Sequence, residues 1–197
     1  MTATIRPATE AELPAVGALI ALSFDDLEQN HSLVPDEQAR LRVMTAFFTL
    51  LTEQAPLCGK VDVIDAEDGG LAAAAVWFDR TRDMPEIPQY EERMAALAGP
   101  WLANFEALDE VFDKHHPVEP HWHLAFLAVH PSQQGRGLGS ALMDSTHEDL
   151  RRTPAYLEAT NDENIRLYRR HGYADMVPFD IRLPDDTPFY RMWRAVG

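Results

Sequence analysis

Cys58 is the chain's only cysteine. A single thiol excludes an internal disulfide framework, and beside an apolar flank it reads as a buried spectator rather than a nucleophile. Basic residues are scarce as well: 17 Lys+Arg stand against 32 Asp+Glu, a formal net charge of −15. A molecule of that sign repels nucleic acid and anionic membranes and suits a cationic or neutral amine better, although acidity also serves solubility alone. Long apolar runs are missing. No stretch nears the roughly 18 to 20 consecutive apolar residues of a membrane span, and the start Met1-Thr2-Ala3-Thr4-Ile5-Arg6 has no apolar signal region. A cytoplasmic protein with no membrane and no nucleic-acid partner is expected. Internal repeats and low-complexity segments are absent from 197 residues that are 46% apolar. That length and composition suit one compact domain, residues 1–197, with a real core.

What the chain does have is a regular succession of element signals. Residues 4–6 read as a short first strand. Thr9-Glu10-Ala11-Glu12 is a capping-box pattern, opening a helix whose apolar positions Leu13, Val16, Ile20 and Phe24 recur at helical spacing. A second helix is expected over 36–54, with Leu41, Met44, Phe47, Phe48 and Leu51 on one side. Residues 60–65 and 71–78 flank Glu67-Asp68-Gly69-Gly70, a β-hairpin pattern with glycine in the turn. Residues 79–120 are broken by Pro85, Pro88, Pro100, Pro117 and Pro120 around helical pieces near 89–98 and 101–112. The apolar run 122–129 suits a central strand, and a helix follows over 138–152. Residues 156–160 form the next strand. A short helix over 163–170 stops at Gly172, and strands at 173–177 and 189–194 close the sheet.

Between strand 122–129 and the helix after it lies Gln134-Gly135-Arg136-Gly137-Leu138-Gly139. Closely spaced glycines behind a strand let backbone N–H groups turn outward, and the next helix adds the positive end of its dipole, so the run reads as a pyrophosphate cradle. Arg136 adds a full charge. A dinucleotide fingerprint would read Gly-x-Gly-x-x-Gly after the first strand of its unit, and a Walker loop would end in Gly-Lys-Ser/Thr; the chain has neither.

The stretch from His130 to Gly139 resembles motif A of the Gcn5-related N-acetyltransferase (GNAT) superfamily, Gln/Arg-x-x-Gly-x-Gly/Ala, matched from Gln134 to Gly139. Leu157-Glu158-Ala159-Thr160-Asn161, then Asn164, Leu167-Tyr168 and Gly172-Tyr173, are similar to motif B of the same superfamily. Within it, residues 121–141 and 156–173 look most like the puromycin N-acetyltransferase-like group. The resemblance implies a single α/β domain with a mixed, mostly antiparallel sheet splayed between its fourth and fifth strands, flanked by helices, and a cofactor core over about 121–177. It implies acetyl-CoA as co-substrate and a small-molecule amine as acceptor, an aminonucleoside or another antibiotic-like amine, handled by a monomer or homodimer. A protein acetyltransferase or a non-catalytic acyl-CoA-binding protein are the alternatives. No metal is expected, since the histidines and acids around Asp109, Glu110, Asp113, His115 and His116 lack a tight ligand spacing with a second pair.

By the same resemblance the cofactor residues are the backbone of Leu127, Ala128 and Val129; the loop Gln134, Gly135, Arg136, Gly137, Leu138, Gly139 and Ser140; and Asn161, Asn164 and Tyr168. Tyr168 stands where the family places the tyrosine that protonates the departing sulfur. Its phenol is ordinarily protonated at neutral pH; an aromatic at helical spacing also simply packs. Asn161 either bonds the pantetheine amides or caps a helix. For the base, His121 and His123 share one face of their strand by alternation. Glu158 either acts as a base through water or is a buried acid bonded to backbone.

Overall fold

The computed structural model describes residues 4–67, 69–150 and 152–196. The expected turn at 67–70, the expected helix end at 152 and the amino-terminal residues touch Asp68, Arg151 and Met1 to Ala3, which lie outside the described residues, as does Gly197. β1 (Ile5–Pro7) leads into a capping box in which the Thr9 N–H donates to Glu12 Oε2 at 2.8 Å, and α1 (Leu13–Phe24) follows. A short α2 (Glu28–Leu33) precedes α3 (Glu37–Thr52), whose first turn is capped by the Asp36 carboxylate accepting from the N–H of Gln38 and Ala39. After the single turn of α4 (Ala55–Cys58) come β2 (Gly59–Asp65) and β3 (Leu71–Asp79). α5 (Tyr90–Ala98) and α6 (Leu102–His115) fill the proline-broken stretch. The second half runs β4 (Trp122–Val129), α7 (Leu138–Asp149), β5 (Ala155–Ala159), α8 (Asp162–Arg170), β6 (Ala174–Arg182) and β7 (Pro188–Arg194).

The strands form one open seven-stranded sheet in the order β1-β2-β3-β4-β5-β7-β6, antiparallel throughout except for the parallel pair β4–β5. Both faces are covered, so β3 is a near-continuous apolar run rather than an alternating one. Its Ala74, Val76 and Phe78 pack toward α1, α3 and α6, while Ala73, Ala75 and Trp77 pack toward α7. The sequence expectation of a strand at 173–177 was short. β6 runs to Arg182, with its register to β7 breaking between Asp175 and Asp180, where Pro178 sits at an irregularity in an edge strand. The helix at Glu28–Leu33 was not anticipated, because its buried residues are the polar Gln29 and Asn30 with only Leu33 apolar, too few for an apolar stripe.

Helices α1 and α3 cross with almost no room to spare. A Cβ built on Gly17 would lie 2.2 Å from Thr49 Oγ1 and 2.7 Å from the Thr49 backbone nitrogen. Gly17→Ala is therefore expected to destabilise by about 1–3 kcal/mol, the cost of overpacking, read as a lower urea midpoint at unchanged slope.

Candidate active site

The site is built around the place where β4 and β5 part. They are in register only at Trp122↔Ala155 and His123↔Tyr156, beyond which the strands diverge. β4 also bulges there: Val76 faces Phe126 and Trp77 faces Leu124, so Ala125 has no partner on β3. The ladder to β3 continues through the His130 N–H, which donates to Ala72 O at 2.8 Å. Alternation from that bond turns the N–H and C=O of Ala128 into the ladder, and those of Leu127 and Val129 toward the gap. At Val129 the side chain of Ser23 fills the gap, accepting from its N–H at 3.3 Å and donating to its carbonyl at 3.0 Å. Leu127 is thus the residue of this trio whose backbone faces the opening without such a partner among the described residues.

The glycine loop stands at the carboxyl end of β4. Gly135 and Gly137 have φ of +74° and +80°, left-handed values that favour glycine, and a Cβ on either would meet nothing within 4 Å. The space in front of the loop is open, and Gly137 is the N-cap of α7, whose first N–H groups point into it. α7 packs on β4 at Gly139, where a Cβ would make ordinary contacts, 3.5 Å from Leu127 and 3.7 Å from Val129. Arg136 is exposed and donates to Gln133 Oε1. Gln134 Nε2 donates to the Val129 carbonyl at 3.3 Å, and Leu138 and Ser140 lie in the first turn of α7, the Ser140 hydroxyl 3.1 Å from His171 Nε2. Backbone N–H groups at a helix start facing open space are a setting that suits an anion.

A cavity of about 260 Å³ lies beneath α1, α3 and α6 and reaches β4, β5 and α8. That is the scale of one small molecule. Phe24, Phe47, Phe48, Phe112, Phe126 and Phe189 supply much of its wall, and Arg80, Asp109, Asp113, His116, His123 and Glu158 its charged and titratable groups. His123 Nε2 and Glu158 Oε2 are 2.8 Å apart, and both residues' side chains are less than a tenth exposed. Burial by itself would raise the Glu158 carboxyl, but the charge and hydrogen bond of His123, with Tyr156 and Arg191 behind them, hold it below the usual carboxylate range. A carboxylate only accepts, so Nε2 carries the proton in this bond, and Nδ1 is left buried without a partner among the described residues. A carboxylate thus orients an imidazole whose other nitrogen is unengaged, the arrangement that fixes a histidine's tautomer in acid–base sites.

His121 shares its strand face with His123, as alternation predicts; the two rings lie 5.5 and 5.3 Å from that of Tyr156. It does not line the cavity. Its Nδ1 is 2.7 Å from the Glu119 carbonyl, and burial, against the help of that bond, brings its pKa down to about 4. Tyr168 does line the cavity, from α8, and burial raises its phenol well above the ordinary value, so it carries its proton at neutral pH. Asn161 is the N-cap of α8, its Oδ1 accepting from the Asn164 N–H at 2.9 Å. Asn164 lines the cavity and donates to Thr160 Oγ1 at 2.9 Å.

Sequence reasoning passed over Arg80 and the wall of phenylalanines, which come from segments far apart in the chain. The signal for Arg80 was a cation two residues after the apolar run 71–78. It also left ungrouped Asp144, His147 and His171, whose ligand-type atoms all lie within 4.8 Å of one another, outside the cavity. Each has a protein partner: His171 Nδ1 is 3.0 Å from Asp144, and His147 Nε2 is 3.1 Å from the Tyr173 hydroxyl.

An open mixed sheet with a parallel pair that splays apart, a glycine loop on one side and a cavity on the other, is the GNAT acetyltransferase fold. Residues 102–175 match the family model described as an acetyltransferase (GNAT) domain. Over its full length the chain is similar to a histone acetyltransferase HPA2 and related acetyltransferase from Corynebacterium glutamicum, at 26% identity, with 98% of that chain covered and a TM-score of 0.77. It shares its fold with arylalkylamine N-acetyltransferase 2 from Aedes aegypti, at 13% identity, 100% of both chains covered and a TM-score of 0.60. The same holds for the Drosophila melanogaster polyamine N-acetyltransferase that forms N-acetylagmatine, at 20% identity, 98% of both chains covered and a TM-score of 0.59. Among the described residues, no helix is long and apolar enough to cross a membrane.

Proposed function

We propose that this protein is an N-acetyltransferase that passes the acetyl group of acetyl-CoA directly to the amine of a small molecule. The observation that carries this reading is the parting of β4 and β5 just beyond His123 and Tyr156, with the glycine loop at the end of β4 and a cavity holding an oriented imidazole along the same strand. Acetyl-CoA supplies an acyl group already activated as a thioester. The cradle from Gly135 to Gly139 would hold its pyrophosphate, and the unpaired backbone of Leu127 its pantetheine. His123, oriented by Glu158, accepts the proton that frees the attacking amine, and Tyr168 holds the proton that the departing sulfur needs. Direct transfer is favoured because Cys58 is buried outside the cavity, with its thiol pushed up by burial.

The enclosing helices favour a small acceptor over a peptide. An aminonucleoside of the kind suggested by the puromycin N-acetyltransferase-like resemblance is one member of that class. Acetylation of a protein lysine is the second reading, favoured by the description of the Corynebacterium glutamicum neighbour. A thiol-release assay with acetyl-CoA tests both, run against small amines and against lysine peptides. Release with small amines supports the proposal; release with peptides alone transfers it to the second reading, and none with either refutes catalysis.

The two histidines give a separate test. Burial lowers the pKa of His121 to about 4, so a limb of the pH profile close to neutrality does not belong to it. His123→Ala is expected to remove the acidic limb of kcat/KM while CoA affinity holds, and His121→Ala to leave the limb in place. A pH–rate series of the two variants decides this, and loss of the limb in His121→Ala alone would reverse the assignment.

A further inference from the structure

Arg80 is, with Asp109, Asp113 and His116, one of the charged or titratable groups of the cavity that the transfer chemistry above does not use. It follows β3 directly, its backbone N–H extending the ladder to the His121 carbonyl at 2.9 Å, and its side chain lines the cavity half-buried. Among the described residues it makes no ion pair and no side-chain hydrogen bond, and its Nε is buried without a partner. Other inward arginines are treated differently: Arg40 donates to the carbonyls of Val34 and Pro35, and Arg191 to that of Pro178. Glu158, the nearest candidate counter-ion on β5, is taken by His123 at 2.8 Å. Burial works against the Arg80 charge. Asp113 and Glu158 favour that charge only through space, with no ion pair to it among the described residues; a guanidinium held out of water without a direct partner is costly, and its fork fits a carboxylate.

His116 stands beside it. Its ring is 5.1 Å from that of His123, it lines the cavity, and its Nε2 is buried without a partner. Burial first, then the positive groups around it, Arg80 among them, lower its pKa to about 2, so it is a neutral imidazole able to offer an N–H. Arg80, His116 and His123 thus place a site for an anion next to the site for the amine. Both groups must then lie close together in one molecule, with the Phe-rich wall left for the remainder.

We propose that the acceptor is an α-amino acid with an apolar or aromatic side chain, its carboxylate held by Arg80 and His116 and its amine presented to His123. This rests on the transfer reading above and names its substrate class. A zwitterion carries no net charge and is compatible with the strongly acidic surface of the protein.

The test uses matched pairs that differ only in the carboxylate: phenylalanine against phenethylamine, and tryptophan against tryptamine, with acetyl-CoA and the intact protein. The wild type is expected to prefer each amino acid by at least tenfold in kcat/KM. Arg80→Gln is expected to erase that preference by lowering kcat/KM for the amino acids roughly ten- to a hundredfold, the scale of a lost charge-assisted bond, while the amines hold their rate. Arg80→Lys, which keeps the charge but not the fork, should fall between. Faster turnover of the decarboxylated amines overturns the proposal and leaves the transferase reading standing, as does an Arg80→Gln loss shared equally by both members of a pair. No thiol release with any acceptor, despite acetyl-CoA binding in calorimetry, overturns both.

Discussion

Tyr168→Phe is expected to lower kcat by ~10²–10⁴-fold at pH 7 while CoA affinity and thermal stability stay close to the wild type. The change removes one oxygen and keeps the ring, which is 7% exposed, packs at 6.0 Å from the ring of Tyr173 and belongs to the core cluster of α7, β5 and β7. The hydroxyl makes no hydrogen bond among the described residues, so its loss orphans no partner and the structural cost is small. The backbone that places it is independent of the phenol: Asn161 caps the start of α8, and the Tyr173 N–H returns to the Tyr168 carbonyl at 3.1 Å behind Gly172, whose φ of +85° closes the helix. Burial keeps the phenol protonated through the neutral range, so the proton is there to give, while the same shift makes the phenol a weaker donor than a free tyrosine. A free thiol has a pKa of about 8.5, so above that pH the sulfur leaves as thiolate unaided and the defect should shrink. Measuring kcat for both proteins at pH 7 and pH 9.5 gives two readings of one role. Normal turnover by the variant at pH 7 would mean that Tyr168 only packs.

The parts of this site that were legible in the sequence are those encoded by neighbours in the chain. The glycines must stand together for the loop to turn, so Gln134 to Gly139 announces itself. Asn161, Asn164 and Tyr168 sit on one short helix, and their spacing shows it. The His121 and His123 alternation is likewise local. What was hidden depends on pairing between distant segments. The Glu158–His123 contact spans a sequence separation of 35 and exists because β4 and β5 are parallel and in register at His123↔Tyr156. The bulge at Ala125 is a property of the register with β3, which no local pattern states. Gln29 looks like an ordinary surface residue, yet it is 3% exposed and donates to the carbonyls of Thr160 and Pro188, fastening α2 to β5 and β7. The wall of phenylalanines is legible only as apolar helix faces, because the sequence does not show where those faces leave a void. The proline-rich region hid its role for the same reason: α6 covers the cavity through Leu108 and Phe112, and Pro100 precedes it at the helix start, a position that tolerates proline.

Gly137→Glu is expected to abolish acetyl-CoA binding while the protein still folds. The expectation has two separable parts. The first is backbone strain: at φ +80° a side chain costs about 1–2 kcal/mol, which a stable domain absorbs. The second is occupation of the cradle. A Cβ at this position meets no atom of the protein within 4 Å, so the added chain does not disrupt packing and projects into the open space ahead of α7. There it would set a carboxylate against the N–H groups and dipole end that attract phosphate, filling the site with the protein's own anion. Gly137→Ala carries the strain without the charge or the reach, and is expected to weaken binding only modestly. Calorimetric titration of CoA into the three proteins, with urea unfolding as a check on stability, isolates the second part. Wild-type affinity in Gly137→Glu would remove the pyrophosphate from this loop, and equal losses in Gly137→Ala and Gly137→Glu would attribute the effect to loop conformation instead.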